Sequence, residues 1–148
     1  MMDLTAMLAK DEGLRLQVYD DATGHAIGPG SNVRGHPTIG YGICLDAAGG
    51  ITTAEAVVLL ANRIAAVRLS LAGVGWWKGL DSVRQDAIVA MAYQMGLSGV
   101  AAFHVMIAAL RDERWQDASA AMLDSLWAHE TPSRAYRTAN MIASGRYA

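Results

Sequence analysis

The sequence predicts a mostly helical α+β fold: a small N-terminal lobe with a β-hairpin sheet, a linking helix and a helical C-terminal lobe. Three observations predict it. Strand-like alternation is confined to the first third of the chain, where Leu14, Leu16 and Val18 alternate with Arg15, Gln17 and Tyr19. Ala22 to Pro37 is crowded with glycine and proline, as a long hairpin or flap would be. Beyond it the apolar residues recur with helical spacing, and the segments begin and end on capping residues. The 148 residues suit a single domain. Its lobes are expected at about 1–51 and 73–148, joined by a helix over about 53–71.

Asp3 suits an N-cap, and Leu4, Met7 and Leu8 give a stripe running to Glu12, where Gly13 closes the helix. A strand is expected from Leu14 to Tyr19, and a second from Thr38 to Leu45. Gly49-Gly50 punctuates, and Thr52 or Thr53 caps the linking helix, with Glu55 in its first turn. The polar residues of that helix fall on one side, so the remainder is expected to be buried or half-buried. Gly73, Gly75 and Gly79 suggest a loose connection carrying Trp76 and Trp77. A core helix is expected from Asp81 or Ser82 to Met95, stopped by Gly96. Two amphipathic helices, Ser98 to Arg111 and Trp115 to Leu123, come next. A short piece, Ser125 to His129, precedes a last helix capped by Thr131, with Pro132 at its first position and Gly145 at its end.

Composition narrows the function. At 53% hydrophobic and 18% charged the chain is globular. A net charge of -2 gives no field to steer it to nucleic acid or lipid headgroups. The apolar run Ala87 to Tyr93 is far too short to cross a bilayer, which takes about 20 residues. Membrane insertion is therefore not expected, and neither is an oligomer. The single cysteine, Cys44, excludes an internal disulfide and reads as a small buried hydrophobe. His25 and His36 in the Gly-rich segment read as polar loop residues, so no metal and no cofactor is expected. Met1-Met2-Asp3-Leu4 carries no secretory signal.

Glu12, at a helix end, and an acid in the turn after the first strand, with Thr38 opening the second, make a constellation suited to hydrolysis. The blocks Asp11-Glu12-Gly13-Leu14-Arg15-Leu16, Thr38-Ile39-Gly40-Tyr41-Gly42, Ser82-Val83-Arg84 through Gln94-Met95-Gly96, and Trp127 with Thr131-Pro132-Ser133-Arg134 carry a resemblance. In this order over nearly the whole chain, they resemble phage lysozymes of the T4 kind, glycoside hydrolase family 24.

The resemblance implies a lysozyme-like fold and a muramidase. Such an enzyme cleaves the β-1,4 bond between N-acetylmuramic acid and N-acetylglucosamine in bacterial peptidoglycan. By that resemblance Glu12 is the general acid, Asp21 the base and Thr38 the holder of the attacking water, with inversion the outcome. Asp20 is the neighbour to be told apart from Asp21, and Asp20→Asn is expected to be nearly silent. Gln94 corresponds to a position hydrogen-bonded around the catalytic Glu and Trp127, although a satisfied core amide is the plainer reading. Arg134 corresponds to an arginine near that Glu, and equally reads as a solvated side chain. Gly42 and Tyr93 complete the supporting set. Met106 and Ala121 stand where polar cleft residues belong, and Asp21 and Thr38 are further apart in sequence than in the T4 kind. The resemblance suggests a phage endolysin, held in the host cytoplasm and released through a holin, or a virion- or tail-associated lysozyme. A non-catalytic wall-binding or structural module is the alternative.

Overall fold

The computed structural model describes residues 3–47 and 50–147, so Gly49 of the expected Gly49-Gly50 break lies outside the described residues. The chain divides into two compact units, Met1–Val57 and Val58–Ala148.

The first unit opens with helix α1 (Leu4–Glu12), where Asp3 caps the start by accepting from the Ala6 amide at 2.8 Å. Gly13, at φ 67°, ends the helix and turns the chain into strand β1 (Arg15–Asp20). β1 pairs antiparallel with β2 (Pro37–Gly40), and β2 with β3 (Ile43–Cys44), giving the sheet order β1-β2-β3.

Two strand expectations need correction. The single strand expected over Thr38 to Leu45 is two strands, because Gly40 (φ 68°) and Gly42 (φ 70°) fold the chain back through Tyr41. The apolar alternation of β1 does not mark a buried face. A register irregularity between Arg15 and Tyr19 disturbs it, and Leu16 is 79% exposed. The buried residues described in this unit are a carboxylate and a hydroxyl, Asp20 and Thr38.

Helix α2 (Thr53–Leu71) starts on a reciprocal cap. The Glu55 carboxylate accepts from the Thr52 amide at 2.7 Å, while the Thr52 hydroxyl accepts from the Glu55 amide at 3.3 Å. The boundary between the units falls inside α2. In its second half Ile64, Val67 and Leu71 turn one stripe to the core of the second unit. Burial is narrower than the sequence suggested, and Leu69 is 78% exposed.

The second unit is all helix. The expected loose connection contains a short helix, α3 (Gly75–Lys78), which buries Trp77. Helix α4 (Ser82–Ala101) is capped by Asp81 and broken at Gly96, whose φ/ψ of 75°/169° is not helical. The stop at Gly96 is thus where expected. The helix expected over Ser98 to Arg111 is instead the tail of α4 followed by α5 (His104–Arg111), with Phe103 at the break. α6 (Trp115–Leu123), α7 (Leu126–Glu130) and α8 (Pro132–Ser144) follow, with Gly145 in the left-handed region. Thr131 does not cap α8 with its side chain. Its hydroxyl donates back to the Trp127 carbonyl at 2.9 Å and closes α7.

α8 packs against α4, α6 and α7. It does so through Ala135, Thr138, Ala139 and Ile142, the i, i+3, i+4, i+7 stripe of one helical face. Small residues on that stripe let the backbones approach closely. Ile88 and Met91 of α4, with Met106, Leu110, Met122 and Ile142, fill the centre. Arg84 ties the start of α4 to the end of α8: its Nε donates to the Ile142 carbonyl at 2.8 Å, and its guanidinium stacks 4.0 Å from the Trp115 ring. Trp77 and Trp115 therefore serve packing. Removing the Ile88 side chain from this centre leaves a cavity, so Ile88→Ala costs about 2–5 kcal/mol of stability in a urea titration. A loss below about 1 kcal/mol contradicts the assignment of α4 as the core helix.

Candidate active site

The expected site residues divide between the units. Glu12, Asp21, Thr38 and Gly42 belong to the first; Tyr93, Gln94 and Arg134 belong to the second.

In the first unit the two adjacent acids have opposite environments. Asp20 is 3% exposed and its carboxylate is fully engaged with backbone. Oδ1 accepts from the amides of Ala22 (3.0 Å) and Gly35 (2.9 Å), and Oδ2 accepts from that of Arg34 (2.9 Å). One side chain thus gathers both ends of the Gly-rich segment. The Arg34 amide foremost, then those of Gly35 and Ala22, hold this carboxyl below its ordinary value of 3.8 against the opposing effect of burial. The Asp20 carbonyl also accepts from the amides of Thr23 and Gly24, and its amide donates to the His25 carbonyl. Arg15 adds a further tie, donating from Nη2 to the Gly24 carbonyl at 2.7 Å.

Asp21 is exposed. Its Oδ1 accepts from the His36 amide at 2.7 Å, while its own amide donates to the His36 carbonyl at 3.1 Å. Oδ2 accepts no hydrogen bond among the described residues. Gly35 has no room for a side chain, since a Cβ there would lie 2.1 Å from Asp21 Oδ1. Thr38, opposite Tyr19 in the sheet, is buried, and its hydroxyl donates to the His36 carbonyl at 3.1 Å. Asp21 and Thr38 therefore converge on one carbonyl, with the hydroxyl's lone pairs left to accept. Glu12, exposed at the last residue of α1, lies against the tip of the β2–β3 turn: a Cβ on Gly42 would stand 2.5 Å from Glu12 Oε2. The structure thus links Asp21 with Thr38, and Glu12 with Gly42.

In the second unit Trp127 Nε1 donates to Gln94 Oε1 at 3.0 Å, the bond the resemblance implied. Trp127 also meets Phe103 edge to face, with centroids 6.3 Å apart. Tyr93 and Arg134 line one groove of about 540 Å³, together with Arg68, Asp86 and Tyr147. Met106 is wholly buried in the core, so its apolar character is a packing requirement.

Two expectations at this site are corrected. Cys44 is not a buried hydrophobe. Its half-buried thiol donates to Asp46 Oδ1 at 3.3 Å. Asp20→Asn cannot be silent, because an amide in place of the carboxylate offers one acceptor and turns a donor toward backbone donors. The roles of Asp20 and Gly35 were missed from sequence. No local pattern marked either one: Leu14 and Leu16, which share the phase of Asp20 along β1, are exposed, and the amides that Asp20 binds lie up to fifteen positions away.

Stability from Asp20 is fully present above 3.8 and is lost as pH falls through the lower folded value. Asp20→Asn should therefore lower Tm by several degrees at neutral pH, with the gap to wild type closing below pH 3.8. Coincident melting curves at neutral pH contradict the anchoring role.

Comparison with known proteins identifies the family. The model of the phage lysozyme family matches residues 9–137. The chain is 35% identical to the pre-baseplate central spike protein Gp5 of Enterobacteria phage T4, over 97% of this chain but only 28% of that protein's length. It is 28% identical to a probable T4-type lysozyme of Dictyostelium discoideum, over 94% of this chain and 92% of that one. The chain belongs to the phage lysozyme family, a family of glycoside hydrolases.

Proposed function

We propose that this chain is a muramidase, hydrolysing the β-1,4 bond between N-acetylmuramic acid and N-acetylglucosamine in bacterial peptidoglycan. Glu12 donates the proton to the leaving oxygen. Asp21 removes the proton from a water that the Thr38 hydroxyl helps to hold, and the water attacks the far face of the sugar. The observation that carries this reading is the division of labour between neighbouring acids. Asp20 is consumed by backbone amides, whereas Asp21 is exposed, fixed through one oxygen and joined through the His36 carbonyl to a hydroxyl that can still accept. Family membership supports the substrate class. Within the second unit, Tyr93 and Arg134, which line one groove, are proposed as sugar contacts, and Gln94, held by Trp127, as a supporting residue.

The reaction is proposed to invert, which requires space for a water between the two carboxyl groups, about 6.5–9.5 Å apart. The working place is the cell wall, reached as a released endolysin or as part of a virion protein. No single helix among the described residues is long and apolar enough to cross a membrane. A wall-binding module without catalysis is the competing reading. It predicts retention on purified sacculi with no release of reducing ends.

On purified sacculi, Glu12→Gln and Asp21→Asn each lower the release of new reducing ends by about 100-fold or more. Neither shifts Tm appreciably, since both side chains are exposed and Asn keeps the His36 bond through its own Oδ1. Retained activity in Glu12→Gln overturns the acid assignment, and the first product seen by NMR should be the α-anomer. A second pair of variants isolates the role of Gly42. Gly40→Ala and Gly42→Ala place alanine at nearly the same positive φ (68° and 70°), so both cost about 1–2 kcal/mol. Only the Gly42 methyl meets the Glu12 carboxylate, so Gly42→Ala alone loses turnover beyond that cost. Equal activity in the two variants contradicts the contact.

A further inference from the structure

Three side chains that hydrolysis does not use meet where β3 ends. Asp46 Oδ1 lies 2.9 Å from His36 Nδ1 and 3.3 Å from Cys44 Sγ, and the three ligand atoms all fall within 4.8 Å of one another. We propose that His36, Cys44 and Asp46 form a binding site for a zinc-like divalent transition-metal ion. From sequence no metal was expected, and the pair considered was His25 with His36. The structure leaves His25 out and brings in Cys44 and Asp46 instead.

The spacing suits a metal. Bonds of about 2.0–2.3 Å from a tetrahedral ion to N, O and S place neighbouring ligand atoms roughly 3.3–3.7 Å apart. The two edges at Asp46 need to open by only a few tenths of an ångström, and the third, between His36 Nδ1 and Cys44 Sγ, lies within 4.8 Å and is brought to tetrahedral spacing by side-chain rotation at these half-exposed positions. The donor set selects the class of ion, because a thiolate and an imidazole favour zinc and cobalt, whereas magnesium and calcium take oxygen ligands. Three protein ligands leave the fourth position to water. The carboxylate is pre-positioned, since Asp46 Oδ1 also accepts from the Ala47 amide at 2.6 Å. Access from solvent is open, as the side chains of His36 and Asp46 are about half exposed. Binding through Nδ1 and the thiolate releases the thiol proton to solvent.

A nucleophilic cysteine fits this geometry less well. The thiol and the imidazole both face the carboxylate, so no imidazole nitrogen is placed to take the thiol's proton. A metal here would cross-link the end of β3 to the residue whose backbone clasps Asp21 and receives the Thr38 hydroxyl. The site would thereby brace the base of the Gly-rich segment without touching substrate.

The test is a cobalt titration of the full chain after treatment with a chelator. Cys44 is the sole cysteine, so a thiolate-to-cobalt charge-transfer band has a single source. The expected result is saturation at one equivalent, with intense visible bands of four-coordinate cobalt, a near-ultraviolet charge-transfer band, and displacement of both by zinc. Cys44→Ser should abolish the charge-transfer band. Asp46→Asn, a second and gentler variant, should weaken binding by about tenfold or more. A pale six-coordinate spectrum with no charge-transfer band in the wild type overturns the proposal. So does a spectrum unchanged by Cys44→Ser. Neither outcome bears on glycoside hydrolysis, which the release of reducing ends reports separately.

Discussion

The first unit depends on one buried carboxylate. Asp20 accepts from Ala22 at one end of the Gly-rich segment and from Arg34 and Gly35 at the other, closing the intervening residues into a loop on β1. A segment with so many glycines loses much conformational entropy on ordering and has few apolar side chains to offset it. Charge-assisted hydrogen bonds to backbone do that work here. The order passes on to its neighbours. With the loop closed, His36 is held beside Asp21, and the His36 carbonyl in turn receives the Thr38 hydroxyl. The acid proposed for chemistry is exposed because the acid beside it is not.

The second unit is built on the opposite principle. Its interior is apolar and close-packed, with alanines and Thr138 on α8 allowing near approach and methionines filling the centre. Polar side chains that reach into it are paired, as are Trp127 with Gln94 and Arg84 with the last carbonyls of α8. Fixing Gln94 through a buried indole leaves its amide nitrogen available as a donor with a set direction.

Much of this was legible in the sequence, because helices announce themselves by period and caps. Asp3, Glu55, Asp81, Gly96 and Gly145 each mark a boundary that the structure keeps. The errors lie where one local signal masked another. The run Thr38 to Leu45 has strand composition throughout, yet paired positive-φ glycines turn it into a hairpin. The stretch Ser98 to Arg111 has helical spacing throughout, yet it bends at Phe103. Family resemblance picked out Asp21 by its distance from Glu12, and left Asp20 without a role. Sequence could not supply that role, because the partners of Asp20 are backbone amides as far as fifteen positions away. The same holds for His36, Cys44 and Asp46, which only the turn between β2 and β3 brings together.

The most direct test of this account is amide hydrogen exchange at Arg34 and Gly35, in wild type and in Asp20→Asn. If the Asp20 carboxylate holds the loop, both amides exchange slowly in the wild type and at least about tenfold faster in the variant, while core amides of α4 are unchanged. Fast exchange at both in the wild type, or protection that survives Asp20→Asn, would contradict the claim that this carboxylate orders the site.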